Sequence, residues 1–237
     1  MNNKFKDFYS LNMKETKQKI KESVSDENFI LQTINYIGEL DRIFNILMKR
    51  LREWYELYNP EFSRRVQDHA KFVELILEGN DEKENDSMGA DIDKKDLKEI
   101  KDIALRAKDI FSERKSKEEY LEKLMKEVCP NLTAVAGVTI GAKLISLAGD
   151  LKRLMLFPSS TVQLLGAEKA LFRHMKTGAR SPKHGIIHEH PLVASAKDKG
   201  KAARAVADKI SLAVKVDYFK GEFIGGKLRK ELEERLK

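Results

Sequence analysis

The chain has 237 residues, of which 35% are charged and 41% hydrophobic, with only 13 Gly and 5 Pro. That composition excludes collagen-like, disordered and disulfide-stapled classes and is long enough to bury a core. One cysteine, Cys129, excludes an internal disulfide and fits a reducing compartment. The net charge of +7 is uneven: residues 1–130 hold 25 Lys/Arg against 28 Asp/Glu, and residues 131–237 hold 20 against 10. Four of the five histidines (174, 184, 188, 190) also lie in the second part. A balanced module followed by a strongly basic one implies two different tasks.

Residues 1–26 read as a helical lead-in, and the opening MNNKFKDFYS lacks the apolar run of a signal peptide. Ile30, Ile34, Ile37, Asp41, Phe44, Leu47, Leu51, Trp54 and Tyr58 then recur at threes and fours, which predicts a long helix. A second helix is expected over 60–77, with Phe62, Val66, His69, Val73 and Leu77 on one side and His69 packed or hydrogen-bonded in the core. The acidic GNDEKENDSMGADIDKKD reads as a loop. Leu97, Ile100, Ala104, Ala107, Phe111, Tyr120, Leu124 and Val128 predict a third helix. Two long helices with narrow apolar stripes around a hairpin-like segment predict an antiparallel coiled coil over residues 27–129, an arm with a thin core of its own. At this spacing Trp54 and Tyr120 are read as core aromatics.

From Pro130 the texture shifts to Ala, Gly and short helices, expected at 132–156, 159–176, 197–217 and 226–236, within a basic helical domain of residues 130–237. Ser159 or Ser160 is expected to cap the second of these. Residues 132–149 are long and apolar enough to raise a membrane span. Lys143 at their middle is costly in lipid, so they are read as one buried helix. Cys129, beside Pro130 at a helix end, reads as a small packed residue. Ile186 and Ile187 are the one hint of an extended run, and the fold class expected is all-α.

On the helix before Gly178, Lys169, Arg173 and Lys176 share a face, and Arg180 and Lys183 continue the positive line into the following loop. Lys197, Lys201 and Arg204 repeat that spacing on the next helix, opposite an apolar stripe of Ala203, Val206, Ile210 and Ala213. Between Lys169 and Arg204 there are nine Lys/Arg and two acids, Glu189 and Asp198. A solvated face mixes the signs, so this one suits phosphate oxygens, and a helix-plus-loop layout suits a folded RNA. Phe172 is assigned to the core, which leaves no aromatic stacking series. His184, His188 and His190 do not follow a helical zinc spacing. His184 beside Lys183 is read as an RNA neighbour, and the other two as loop-packing groups, with no metal and no cofactor. No nucleophile elbow, Walker loop or dinucleotide fingerprint is present, so a non-enzyme is expected.

LREWYELYNPEF (51–62), SMGADI (87–92), PNLTAVAG (130–137), STVQLLGAEKALFR (160–173), PKHGIIH (182–188) and KGKAARAVADKISLAVKVD (199–217) resemble the Nop-domain family. That family includes the archaeal Nop subunit of box C/D ribonucleoproteins, its nucleolar relatives and a spliceosomal kink-turn-binding relative. The resemblance implies a coiled-coil arm followed by a helical Nop domain. It implies a non-catalytic scaffold that binds a kink-turn (box C/D guide) RNA jointly with the ribosomal-type protein seated on that kink-turn, and an arm that self-associates into a homodimer. Carried over by motif, it assigns Lys169 and Arg173, Lys183 and His184, and Arg204 and Lys209 to the RNA surface. It places such a protein in the cytoplasm of an archaeal cell, or in the nucleus or nucleolus of a eukaryote. Archaeal members begin with a further domain that binds fibrillarin; residues 1–26 leave no room for one before the arm, so the resemblance does not carry fibrillarin recruitment over.

Overall fold

The structure, a computed structural model, describes residues 3–83 and 86–236. Among the described residues every regular element is helical. In chain order these are α1 (Asn3–Ser23), α2 (Asp26–Tyr55), α3 (Pro60–Arg65), α4 (His69–Glu78), α5 (Lys94–Val128), α6 (Pro130–Ala136), α7 (Val138–Ala148), α8 (Leu151–Leu156), α9 (Ser159–Leu164), α10 (Glu168–Thr177), a 3-10 turn at Ile186–Glu189, α11 (Pro191–Ala194), α12 (Lys199–Tyr218) and α13 (Gly225–Leu236). The all-α expectation holds.

The chain forms two compact units, one of Asn35–Tyr120 and one of Met1–Ile34 with Leu121–Lys237. The division falls inside α2 and α5. Counted over these units, the first has 17 Lys/Arg against 21 Asp/Glu and the second 28 against 17.

In the unit of residues 35–120, α2 and α5 run antiparallel. Tyr36 donates to Glu113 at 2.7 Å, Asp41 pairs with Arg114, and Phe44 meets Phe111 at 5.6 Å, while the later α2 residues Met48, Leu51 and Tyr55 share a core with the earlier α5 residues Ile100, Ala104 and Ala107. Further along, Met48, Leu51 and Tyr55 share a core with Phe62, Phe72, Val73, Ile76, Ile100, Ala104 and Ala107. Tyr55, Phe62 and Phe72 form an aromatic triad with centroids 5.3–5.5 Å apart. The helix expected over 60–77 is two helices. Val66 is extended, and Asp68 starts α4 afresh by accepting from the Lys71 amide at 2.7 Å. The core aromatic near the end of α2 is Tyr55 and not Trp54, which is 46% exposed; Tyr120 is 44% exposed. His69 is also exposed, although its Nδ1 accepts from Arg52 Nε at 3.2 Å.

The larger unit is built around α12. Its buried Ala202, Ala203, Ala205, Val206, Ala207, Ile210, Ala213 and Val214 are small, which lets α6, α8, α9, α11 and α13 approach closely. The helix expected over 132–156 is three helices. Gly137 at φ +81° and Gly149 at φ +98° break it, because an L side chain rarely adopts that backbone. Among the described residues no single helix is long and apolar enough to cross a membrane; α6 and α7 reach that length only as a pair bent by 114°. Lys143 pairs with Glu189 at 2.9 Å. Cys129 is fully buried, and burial pushes its thiol pKa up, as its packed reading requires. Neither Ser159 nor Ser160 caps α9: Pro158 occupies the cap position and Ser159 is already helical. Ile186 and Ile187 lie in the 3-10 turn rather than an extended run.

Candidate nucleic-acid interface

The basic surface hangs from one short stretch, residues 163–166. The Gly185 amide donates to the Gln163 carbonyl at 2.8 Å, Gln163 Nε2 donates to the Lys183 carbonyl at 2.5 Å, and the Ile186 amide donates to the Leu165 carbonyl at 2.8 Å. Gly185 lies so close to the Leu165 carbonyl that a Cβ would overlap it. Ile187 behind it is fully buried. Lys183 and His184 are therefore fixed by backbone on one side and a core anchor on the other. From the same stretch the chain turns at Gly166 (φ +87°) into α10, so both halves of the surface spring from one support.

No residue of α10 is buried. Lys169, Arg173 and Lys176 are exposed, and among the described residues none of them has an ion pair. Glu168, the acid on this helix, is engaged by the Gly166 amide at 2.7 Å and by its position in the first turn. The helix ends at Gly178 in the left-handed conformation, where His174 Nδ1 bonds the Ala179 carbonyl; exposed Arg180 follows. Phe172, expected in the core, is 59% exposed, and Met175 is 63% exposed. The helix expected over 159–176 is split at Gly166, and the second piece leaves this apolar pair uncovered. An amphipathic period locates an apolar face but does not say that anything covers it.

The second group gathers at the start of α12. Asp198 caps this helix, accepting from the Gly200 and Lys201 amides at 3.1 Å each; Lys197 precedes the helix rather than starting it. A Cβ on Gly200 would lie 3.5 Å from Lys183 Cδ, which places the Lys183 stem across the helix entry. The His184 ring stacks on His188, with centroids 5.8 Å apart and an interplanar angle of 23°. Burial, the His188 ring and the ammonium groups of Lys199 and Lys183 together lower the His184 pKa. Lys201 and Arg204 are exposed, Lys201 within 3.9 Å of Asp198.

The structure thus brings Lys183, His184 and Lys201 together and adds Lys199, which the sequence reading passed over because it falls off the 197–201–204 spacing. Lys209 stands apart: it pairs with Glu231 on α13, and its side chain is 16% exposed. Its charge is paired and its stem is largely covered.

His188 and His190 both bond backbone carbonyls. His188 Nδ1 bonds the Gly185 carbonyl at 3.0 Å. Buried His190 accepts from the Leu192 amide on Nδ1 at 3.3 Å, so its Nε2 carries the proton and donates to the Val135 carbonyl at 3.0 Å. Among the described residues no group of three His, Cys, Asp or Glu side chains is placed to hold a metal ion.

A family profile described as "Nop: snoRNA binding domain, fibrillarin" matches residues 36–237. The chain belongs to the Nop family. A NOP5 family protein of Methanocaldococcus jannaschii is 39% identical, with 93% of this chain covering 59% of that protein. Nucleolar protein 56 of Dictyostelium discoideum and of Mus musculus are each 37% identical, with 89% of this chain covering 45% and 42% of them. The chain therefore spans about half the length of the curated relatives it matches. The fold of a solved chain in a fibrillarin/Nop5p complex is also similar, with a TM-score of 0.60 at 24% identity, covering 98% of this Nop protein and 78% of that chain.

Proposed function

We propose that this Nop protein is a non-catalytic ribonucleoprotein scaffold. Its basic unit binds a kink-turn RNA of box C/D type jointly with the ribosomal-type protein that occupies the kink-turn. One observation above all supports this reading: α10 buries none of its residues yet presents Lys169, Arg173 and Lys176, which have no ion pair among the described residues, flanked by exposed Phe172 and Met175. Cations alone would suit any polyanion. Cations beside an uncovered aromatic and a thioether suit a surface made of phosphates on one side and protein on the other. Lys183, His184, Lys199, Lys201 and Arg204 extend the phosphate-facing part, and Lys176 and Arg180 its edge.

The test is binding of the chain to a kink-turn RNA with and without its ribosomal-type protein. Tight binding is expected only to the preformed pair, and equal binding to naked RNA would overturn joint recognition. Replacing Phe172 and Met175 by Ser should abolish the advantage of the preformed pair, whereas replacing Lys183 and Arg204 by Ala should weaken binding to both.

The unit of residues 35–120 supports self-association of the arm. Ile46, Trp54 and Leu57 are 63%, 46% and 64% exposed on or just beyond α2, more apolar surface than a helix of a solitary hairpin needs. Light scattering should report a dimer, and Trp54→Glu with Leu57→Glu should give a monomer that still binds RNA. In a eukaryotic cell the scaffold would be nucleolar, as the names of its relatives suggest, and in an archaeal cell cytoplasmic.

A further inference from the structure

His184 lies on the basic surface among Lys183, His188 and Lys199, and among the described residues it makes no ion pair with a carboxylate. Lys183 precedes it in the loop, the His188 ring stacks on it from the 3-10 turn at 5.8 Å, and Lys199 faces it from the first turn of α12. The nearby acids are committed elsewhere. Asp198 accepts from the Gly200 and Lys201 amides, and Glu189 pairs with Lys143 at 2.9 Å. Glu168 accepts from the Gly166 amide. Among the described residues neither ring nitrogen of His184 bonds another residue's side chain; the ring is half-buried, on a loop held by Gln163 Nε2 donating to the Lys183 carbonyl and the Gly185 amide donating to the Gln163 carbonyl. A proton added to His184 in the free protein meets two ammonium groups, those of Lys183 and Lys199, and a partly desolvated site.

We infer that His184 is a proton-coupled RNA contact: neutral in the free protein, it takes one proton from solvent when a phosphate group docks beside Lys183 and Lys199. This rests on the RNA-binding reading above. The docked phosphate supplies the counter-charge that the protein withholds, and the imidazolium then donates an N–H to a phosphate oxygen. The lowered pKa of the free ring agrees with this arrangement. His188 holds the His184 ring in place, since its own Nδ1 is tied to the Gly185 carbonyl at 3.0 Å and its stacked ring turns away only by breaking that bond. The pair therefore acts as a latch: the surface reaches its full positive charge only when the polyanion is present.

The experiment measures affinity for a kink-turn RNA loaded with its ribosomal-type protein, at constant ionic strength, between about pH 8 and pH 6. The wild-type protein should bind more tightly as the pH falls, approaching about tenfold per pH unit where the pH lies between the free and bound pKa values of one group. His184→Gln, which keeps a polar side chain and cannot titrate, should remove that slope. His184→Lys, permanently charged, should remove it as well. Calorimetry of the wild-type protein in buffers of different ionisation enthalpy should count a net uptake of about one proton at pH 7 or slightly below. Equal pH slopes for the wild-type protein and His184→Gln, or no proton uptake, would overturn the inference while leaving RNA binding in place. Absence of binding at every pH would overturn the RNA reading and this inference together.

Discussion

Asp217 lies in the last turn of α12 but does its work on another helix. Its carboxylate accepts from the Asn131 amide at 3.0 Å, the Leu132 amide at 2.8 Å and Asn131 Nδ2 at 2.8 Å, capping α6 from 85 residues away in sequence. Asp217→Ala leaves three buried donors without partners and should lower the unfolding free energy by about 3 kcal/mol or more, measurable by denaturant titration. His190 offers a pH test. Its pKa is lowered by burial, so the neutral form is the folded one, with Nδ1 accepting and Nε2 donating. A depressed folded pKa contributes stability that is present above the unfolded value of about 6.5 and is lost as the pH falls through it toward the folded value. The Tm should therefore drop between about pH 7 and pH 5, and His190→Gln should flatten much of that drop. Gly185→Ala forces a Cβ onto the Leu165 carbonyl; the expected result is a loss of about 2 kcal/mol together with weaker RNA binding, since the same backbone holds Lys183 and His184.

Arg52 shows how a surface-type residue can fix an element. Its guanidinium donates to the Ser63 carbonyl at 2.8 Å, the Val66 carbonyl at 2.8 Å and the Gln67 carbonyl at 3.0 Å, and it lies 4.3 Å from the Phe72 ring centroid. It closes the open end of α3 and fills the break that separates α3 from α4. Arg52→Ala should destabilise the unit of residues 35–120 by roughly 2 kcal/mol, and Arg52→Lys should fail to restore it, because an ammonium lacks the planar fork. Helix α10 behaves in the opposite way. Nothing on it is buried, so Lys169→Glu with Arg173→Glu should leave the Tm unchanged within error while abolishing RNA binding. A large fall in Tm would show that α10 is a packing element after all. The contrast explains what sequence could see of these elements. A helix beginning at residue 60 and the stripe from Ile30 that marks α2 were legible, because breaks and periods are local. The Val66 break and the uncovered face of α10 depend on what stands opposite, and no local pattern encodes that.

Charge is the property that spans the molecule. The unit of residues 35–120 has four more acids than bases, while the other unit has eleven more bases than acids, so any polyanion is steered to one of the two. Affinity for RNA should fall linearly with salt on a log–log plot, and each alanine substitution at Lys169, Arg173, Lys183 or Arg204 should reduce the slope by somewhat less than about one unit. Lys209→Ala should leave the slope unchanged, because its ammonium is already paired with Glu231. A reduced slope for that variant would restore Lys209 to the RNA surface.

The basic half, the helical periods, the proline breaks and the Nop motifs all follow from residue order, because each depends only on residue types and near spacing. Which cations are free, which acids are spent and which apolar faces lie open was decided by tertiary structure. Lys209 and Arg204 look alike in sequence, five residues apart on one helix, yet one meets Glu231 from α13 and the other meets solvent. Phe172 and Ile210 both sit on helical apolar stripes, yet only the second has a neighbouring helix to cover it. Periodicity fixes the direction of a side chain about its own axis. Only the packing of distant segments fixes what it meets there, and at a binding surface that difference separates a neutralised charge from an available one.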